Sequence, residues 1–175
     1  MRTVTYGAAC SLDHYIARED GSVDWLQWSD EVASISGELW KTLDTVIMGR
    51  KTYEAGLRMG TTSYPGMKNY VFSRTLEESP DENVQMIRED VAEFVARLKQ
   101  ESGKGICVMG GGELARSLFE ADLIDEVGAN IHPVLLGSGI PLFHPMSRQM
   151  DLELLENRTL KTGCVYLLYR VKRKV

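Results

Sequence analysis

Two short segments hold the clearest capacity for chemistry. In Val46-Ile47-Met48-Gly49-Arg50-Lys51-Thr52 an apolar run meets a glycine and then polar residues. In Ile106-Cys107-Val108-Met109-Gly110-Gly111-Gly112-Glu113-Leu114 a similar run meets three glycines and then a helical pattern. Glycine lets backbone approach a ligand closely. A helix N-terminus behind it offers unpaired N–H groups and the positive end of the helix dipole. Together these favour phosphate. A tight turn with no ligand is the other reading of the three glycines. Arg50 adds a planar fork that matches a phosphate dianion. Ser73-Arg74-Thr75, after the apolar run Tyr70-Val71-Phe72, adds two hydroxyls and a second guanidinium. Two arginines at neighbouring strand ends exceed what a diphosphate on helix termini needs. They suit an additional 2′-phosphate, hence NADP rather than NAD. Two solvated surface arginines are the alternative. Neither segment is GxGxxG, and Asp44 stands where a P-loop needs its first glycine. A Rossmann dinucleotide site and a nucleoside triphosphatase are therefore both disfavoured.

The remaining reactive side chains point elsewhere. Cys10, Cys107 and Cys164 are odd in number, far apart and set in or beside apolar runs. They fit no disulfide framework and no zinc spacing, so buried reduced thiols in a reducing, cytoplasmic setting are expected. His14, His132 and His144 form no ligand cluster, and His132 and His144 read as structural or surface residues; no metal is expected. The net charge of −5 disfavours nucleic acid and anionic membranes as partners. Lys172-Arg173-Lys174 reads as a solvated tail. Strand-like residues begin almost at Met1, without a signal-peptide core, and no apolar run approaches a membrane span.

The 175 residues suit one domain, 1–175. Strands are expected at Val4–Cys10, Thr45–Met48, Tyr70–Phe72, Val84–Ile87, Ile106–Met109 and Val127–Leu136. Helices are expected over about Ser29–Leu43, over Arg50–Leu57, from Val91 to a glycine stop at Ser102-Gly103, and around Leu114–Phe119. Leu152–Glu156 and Val165–Val171 form a terminal antiparallel pair turned near Lys161-Thr162-Gly163. This is an α/β fold, a mainly parallel sheet with an antiparallel C-terminal edge. Val165-Tyr166-Leu167-Leu168-Tyr169 is apolar on both faces, which points to a homodimer or to burial under the protein's own helices.

Four motifs, in order and spanning nearly the whole chain, resemble the RibD C-terminal-like branch of the dihydrofolate reductase superfamily. Ser11-Leu12-Asp13-His14-Tyr15-Ile16-Ala17 is similar to its SLDGYIA segment, with His14 where glycine is usual. Met48-Gly49-Arg50-Lys51-Thr52-Tyr53-Glu54 is similar to MGRxT(W/Y)E. Val108-Met109-Gly110-Gly111-Gly112-Glu113-Leu114 is similar to the glycine-rich cofactor loop. Pro133-Val134-Leu135-Leu136-Gly137-Ser138-Gly139-Ile140-Pro141-Leu142-Phe143 is similar to PxLLGxGxPLF.

The resemblance implies a dihydrofolate-reductase-like three-layer fold around an eight-stranded sheet, binding NADPH across its strand ends. By position, Ala9 and Ile16 would face the nicotinamide. Gly49, Arg50, Lys51 and Thr52 would hold phosphates, and Ser73, Arg74 and Thr75 the 2′-phosphate. Gly110, Gly111, Gly112, Glu113 and Leu114 would cover the pyrophosphate. It also implies a homodimer. Trp25 and Asp30 show the tryptophan-to-carboxylate spacing of dihydrofolate reductases, so Asp30 is the candidate catalytic and substrate-binding acid. Ser29-Asp30-Glu31 equally opens a helix that acids cap and complement. Trp25 and Asn130 are candidate substrate contacts. No HxE or PCxxC occurs, so the fused zinc deaminase of the riboflavin-pathway enzymes is not expected. The implied activity is NADPH-dependent reduction of a small heterocyclic or carbonyl substrate, nearest to 5-amino-6-(5-phosphoribosylamino)uracil reductase. Dihydrofolate reduction and a non-catalytic NADP-binding sensor or assembly domain are the alternatives.

Overall fold

The computed structural model describes residues 1–61 and 63–173. The chain order is β1 (Val4–Ser11), β2 (Tyr15–Ala17), α1 (Asp30–Lys41), β3 (Leu43–Gly49), α2 (Arg50–Arg58), β4 (Lys68–Phe72), β5 (Val84–Ile87), α3 (Val91–Gln100), β6 (Gly105–Gly110), α4 (Gly112–Glu120), β7 (Glu126–His132), β8 (Ile140–Pro141), β9 (Leu152–Thr159) and β10 (Val165–Val171). Eight strands make one sheet, ordered β5-β4-β3-β6-β1-β7-β10-β9. From β5 to β7 they run parallel, and β10 runs antiparallel to both β7 and β9. This is the dihydrofolate-reductase-like architecture the sequence implied.

The central strands are apolar throughout because both faces are covered. Val46 and Met48 of β3 pack with Tyr53 of α2 and with Leu39 and Trp40 of α1. Ile47, between them, turns to the opposite face, where Val95 and Leu98 of α3 meet Leu114 and Leu118 of α4. In β6, Cys107 joins the first cluster while Ile106 and Val108 join the second. Period-two alternation thus sorts one apolar run into two cores.

Several boundaries differ from expectation for physical reasons. β7 stops at His132, well before Leu136, because Pro133 has no N–H to continue the ladder. The chain then leaves the sheet, and Leu12 donates its N–H to the Val134 carbonyl (2.8 Å). Helix α1 ends at Lys41, since Leu43 already pairs with Gly105. Helix α3 ends at Gln100, with Glu101 extended, before Gly103. Gly103 meets a different need: a Cβ there would sit 2.7 Å from Asp44 Oδ2, in a corner occupied by the Arg2–Asp44 ion pair. The pair β2–β8 was not expected, as segments this short carry no periodicity. At the C-terminus Arg173 is exposed yet pairs with Asp125 (2.6 Å), so the basic stretch is not simply a solvated tail; Lys174 lies outside the described residues. No helix among the described residues is long and apolar enough to cross a membrane.

Candidate functional site

Parallel strands bring their carboxyl ends to one edge of the sheet, and the two glycine turns meet there. Met48 pairs with Gly110, which sets Gly49 beside Gly111. A Cβ on Gly111 would lie 3.3 Å from the Gly49 nitrogen, and Gly111 has φ +97. A Cβ on Gly110 would lie 3.0 Å from Thr52 Oγ1. Side chains would force these turns apart, so the glycines are required by close approach of backbone to backbone as well as by φ. Helices α2 and α4 start from Gly49 and Gly111 without any side-chain cap. Helices α1 and α3 start instead from capping side chains, Ser29 and Asp90. The first-turn N–H groups left without a cap are therefore those at the glycine edge.

Gly49 also pairs with Phe72, which places Arg50 and Ser73 one residue beyond adjacent strand ends. The exposed Arg50 reaches Glu54 (3.1 Å). Arg74 is exposed and has no ion-pair partner among the described residues. Ser73 is buried, and its Oγ accepts from the N–H groups of Thr75 (3.2 Å) and Leu76 (2.8 Å). That hydroxyl builds the turn that presents Arg74. Lys51 is exposed and Thr52 half-buried. The Leu114 side chain lies in the core, so at this edge it offers backbone alone. Glu113 is exposed, pairs with Arg116 (2.8 Å) and lies 3.4 Å from His144 Nδ1. The His144 ring packs where a Cβ on Gly112 would be, closing one side of the turn.

On the other side, Ala9 of β1 is the register partner of Asn130 of β7. Ile16 sits in β2, half-buried against the core. Asp13 ties the loop between β1 and β2 to the segment after β7, accepting from Leu136 N–H (3.1 Å) and Gly137 N–H (2.8 Å). Hydrogen bonding from Ser11, Gly137 and Leu136 lowers its carboxyl to about 2. Trp25 is buried edge-on against His132, with ring centroids 5.5 Å apart. Its neighbours Leu26 and Trp28 are exposed. Asp30 does not cap α1: Ser29 Oγ accepts from Val32 N–H (3.3 Å), and Asp30 is the exposed first helical residue. Its carboxylate remains suited to the helix dipole.

His132 and Cys164 were not legible as site residues, yet both are buried beside Trp25 and Asn130. A histidine at the end of an apolar strand gives no sequence signal of what it will meet. Cys10 and Cys107 are buried free thiols, and burial raises them to about 11 and about 12, which removes nucleophilic character. Cys164 is likewise buried and free. Among the described residues, no group of three His, Cys, Asp or Glu is placed to hold a metal.

A sheet of this topology, with glycine-led helices at its carboxyl edge, defines a dihydrofolate-reductase-like α/β protein. The family model of the RibD C-terminal domain matches residues 2–166, and the chain belongs to that family. It is 43% identical over 156 residues to the uncharacterised protein YwjB of Bacillus subtilis, covering 87% of this chain and 88% of YwjB. It is 30% identical over 181 residues to the uncharacterised YyaP of the same organism, covering 97% and 95%. The fold matches a protein from Shewanella sp. PV-4 provisionally labelled a riboflavin biosynthesis protein, with TM-score 0.86 and 25% identity over 98% and 99% of the two chains. It also matches Enterococcus faecalis dihydrofolate reductase, solved with NADP(H), at TM-score 0.70 and 16% identity over 98% and 97%. The Thermotoga maritima diaminohydroxyphosphoribosylaminopyrimidine deaminase/5-amino-6-(5-phosphoribosylamino)uracil reductase matches at TM-score 0.72 and 16% identity, over 98% of this chain and 57% of the larger enzyme.

Proposed function

We propose that the chain is an NADPH-dependent reductase of a small heterocyclic or carbonyl compound, formed by one domain over residues 1–175 and working in a reducing, cytoplasmic setting. One observation carries the reading. The two helices that start from the carboxyl edge of the sheet lack side-chain caps, start from touching glycine turns, and stand beside Arg74, which has no ion-pair partner among the described residues. A diphosphate fits that cradle, because N–H groups converge on it and no Cβ intrudes.

NADPH, when bound, supplies the hydride. The chain's own residues bind and orient. Gly49, Lys51 and Thr52 on one turn, and Gly110, Gly111, Gly112, Glu113 and Leu114 on the other, would hold the phosphates, with Leu114 contributing its amide. Arg74, with Arg50, Ser73 and Thr75, would take the 2′-phosphate. Ala9 and Ile16 would serve the nicotinamide end, and Trp25, Asp30 and Asn130 the substrate. Reduction of a heterocycle in the manner of aminouracil reductases is favoured over dihydrofolate reduction. Asp30 is exposed on the first turn of α1, whereas a carboxylate that pairs a pterin is expected in an apolar cleft.

Calorimetry with NADPH and NADH tests the cofactor reading. A charge-assisted bond to phosphate contributes about 1.5–3 kcal/mol, so Arg74→Ala should weaken NADPH binding by about tenfold or more. NADH binding should stay nearly unchanged. Arg50→Ala should act in the same direction but less, since Glu54 already neutralises Arg50. Equal affinity of the unaltered protein for NADPH and NADH would overturn the reading.

A further inference from the structure

The His132 ring is almost wholly buried, and its protonation can be assigned from its neighbours. The backbone N–H of Gln27 points at Nδ1 from 3.3 Å. An amide N–H only donates, so Nδ1 carries no proton. Cys164 Sγ lies 3.4 Å from the same atom, and its S–H is a second, weak donor. Burial pushes the imidazole pKa down, which keeps the ring neutral near pH 7. Its single proton is therefore on Nε2.

Nε2 faces the Asn130 carboxamide at 3.4 Å. A protonated Nε2 needs an acceptor, and the acceptor of a carboxamide is Oδ1. The two prongs of an amide have the same shape, so the hydrogen-bond network decides which is which. Asn130 accordingly turns Oδ1 to His132 and its NH2 to the opposite prong position, which is buried without a protein partner among the described residues. Trp25 Nε1, on the residue packed edge-on against His132, is also buried without a partner among the described residues. Two donors that lack acceptors therefore flank one imidazole, close to Ala9, the register partner of Asn130. Unpaired buried donors are costly, and a ligand that supplies acceptors removes the cost.

We propose that His132 is a positioning residue, set by Gln27 and Cys164, that fixes Asn130 as a hydrogen-bond donor and thereby makes the site select ligands that present carbonyl oxygens. The inference rests on the reading of this side of the sheet as the substrate side. It makes the polarity of recognition a property of the pair His132–Asn130 rather than of Asp30. A ring edge that presents amino groups would meet two donors and be rejected.

Nitrogen-15 NMR of histidine-labelled protein near neutral pH reads the tautomer directly, without cofactor or turnover. A His132 proton on Nε2 is expected, and a proton on Nδ1 would overturn the assignment. Uracil and 2,4-diaminopyrimidine then serve as probes of opposite polarity, titrated by calorimetry with and without NADPH. Uracil should bind about tenfold more tightly. Asn130→Asp, which replaces the donor by an acceptor, should reverse the order. His132→Phe, which frees the amide to turn, should bring the ratio toward one. No preference for uracil in the unaltered protein, binding of neither probe, or a preference unchanged in Asn130→Asp would each overturn the proposal. Should His132→Phe fail to fold, the tautomer and Asn130→Asp still decide. Absence of NADPH binding, seen in the same titrations, would instead strike at the reductase reading.

Discussion

At the scale of single residues, Asp30 shows how one side chain carries two readings until its surroundings are known. Its spacing from Trp25 matches a catalytic acid, and its place at a helix start matches a cap. The structure gives the cap to Ser29 and leaves Asp30 exposed at the first helical position. Asp30→Asn therefore removes a charge that complements the dipole, worth about 0.3–1 kcal/mol, without removing the cap. The melting temperature should fall slightly, and NADPH oxidation with a reducible heterocycle should change by less than about tenfold. A loss of about a hundredfold with an unchanged melting temperature would make Asp30 the acid after all. Ser29→Ala is the contrasting variant: loss of a true cap should cost about 1 kcal/mol. Among single residues, Arg50 and Arg74 could be singled out because a guanidinium just past an apolar run is a local pattern; their role toward a phosphate is a proposal. His132 could not be, because its partners Gln27 and Cys164 come from distant parts of the chain.

At the scale of elements, the two glycine segments work as one device. Each was visible in the sequence as a strand running into a helix. That they touch follows from β3 and β6 being neighbours, which no local pattern states. Gly111→Ala should be the more damaging glycine substitution. It places a Cβ against the Gly49 backbone at positive φ, a strain of about 1–3 kcal/mol. NADPH affinity should fall with it, read by calorimetry at a temperature where the variant remains folded. Gly37→Ala is the control, because nothing lies within 4 Å of its added Cβ and α1 gains a better helix former. The β1–β2 loop and the segment after β7 form a second device, joined through Asp13. Its carboxyl is lowered from 3.8 to about 2. A depressed carboxyl pKa favours the ionised, folded form. The clasp is complete above about pH 4 and is lost as pH falls through 2. Hydrogen exchange at the Leu136 and Gly137 amides should accelerate across that window. Asp13→Asn should weaken the clasp already near neutral pH. Exchange independent of pH after correction for intrinsic rates would exclude it.

At the scale of the whole molecule, the sheet is covered unevenly. The strands themselves were largely readable, since buried parallel strands announce themselves as short apolar runs between helical periods, but their order in the sheet and the sorting of side chains into two cores were not. The antiparallel edge was readable as a pair, but what covers it was not. In the structure Leu154 of β9 lies opposite Tyr169, and Leu152 opposite Val171. Val171 belongs to the core beneath α4, yet Leu152 and Leu154 are exposed (42% and 49%), with Val165, Leu167 and Tyr169 half-buried on the same face. The protein's own helices thus stop short of the last two strands on this side. On the other side α1 reaches the edge through the Arg158–Glu38 pair (2.8 Å) and a small cluster of Val32, Leu160 and Cys164. One face of the β9–β10 pair is therefore tied down, and the other is open, with Leu152 and Leu154 at one end and exposed Asn157 and Thr159 at the other. A second copy of the chain would cover such a face by two-fold symmetry, each leucine pair packing on the same pair of its partner. Light scattering at micromolar concentration should give a dimer. Leu154→Arg should weaken it by at least about tenfold, because association would bury a charge without a counter-ion. Its effect on the stability of the isolated chain should be small, as Leu154 contributes little to the core. A monomer for the unaltered protein at that concentration would mean that the half-buried side chains of β10 suffice to seal the sheet without a partner.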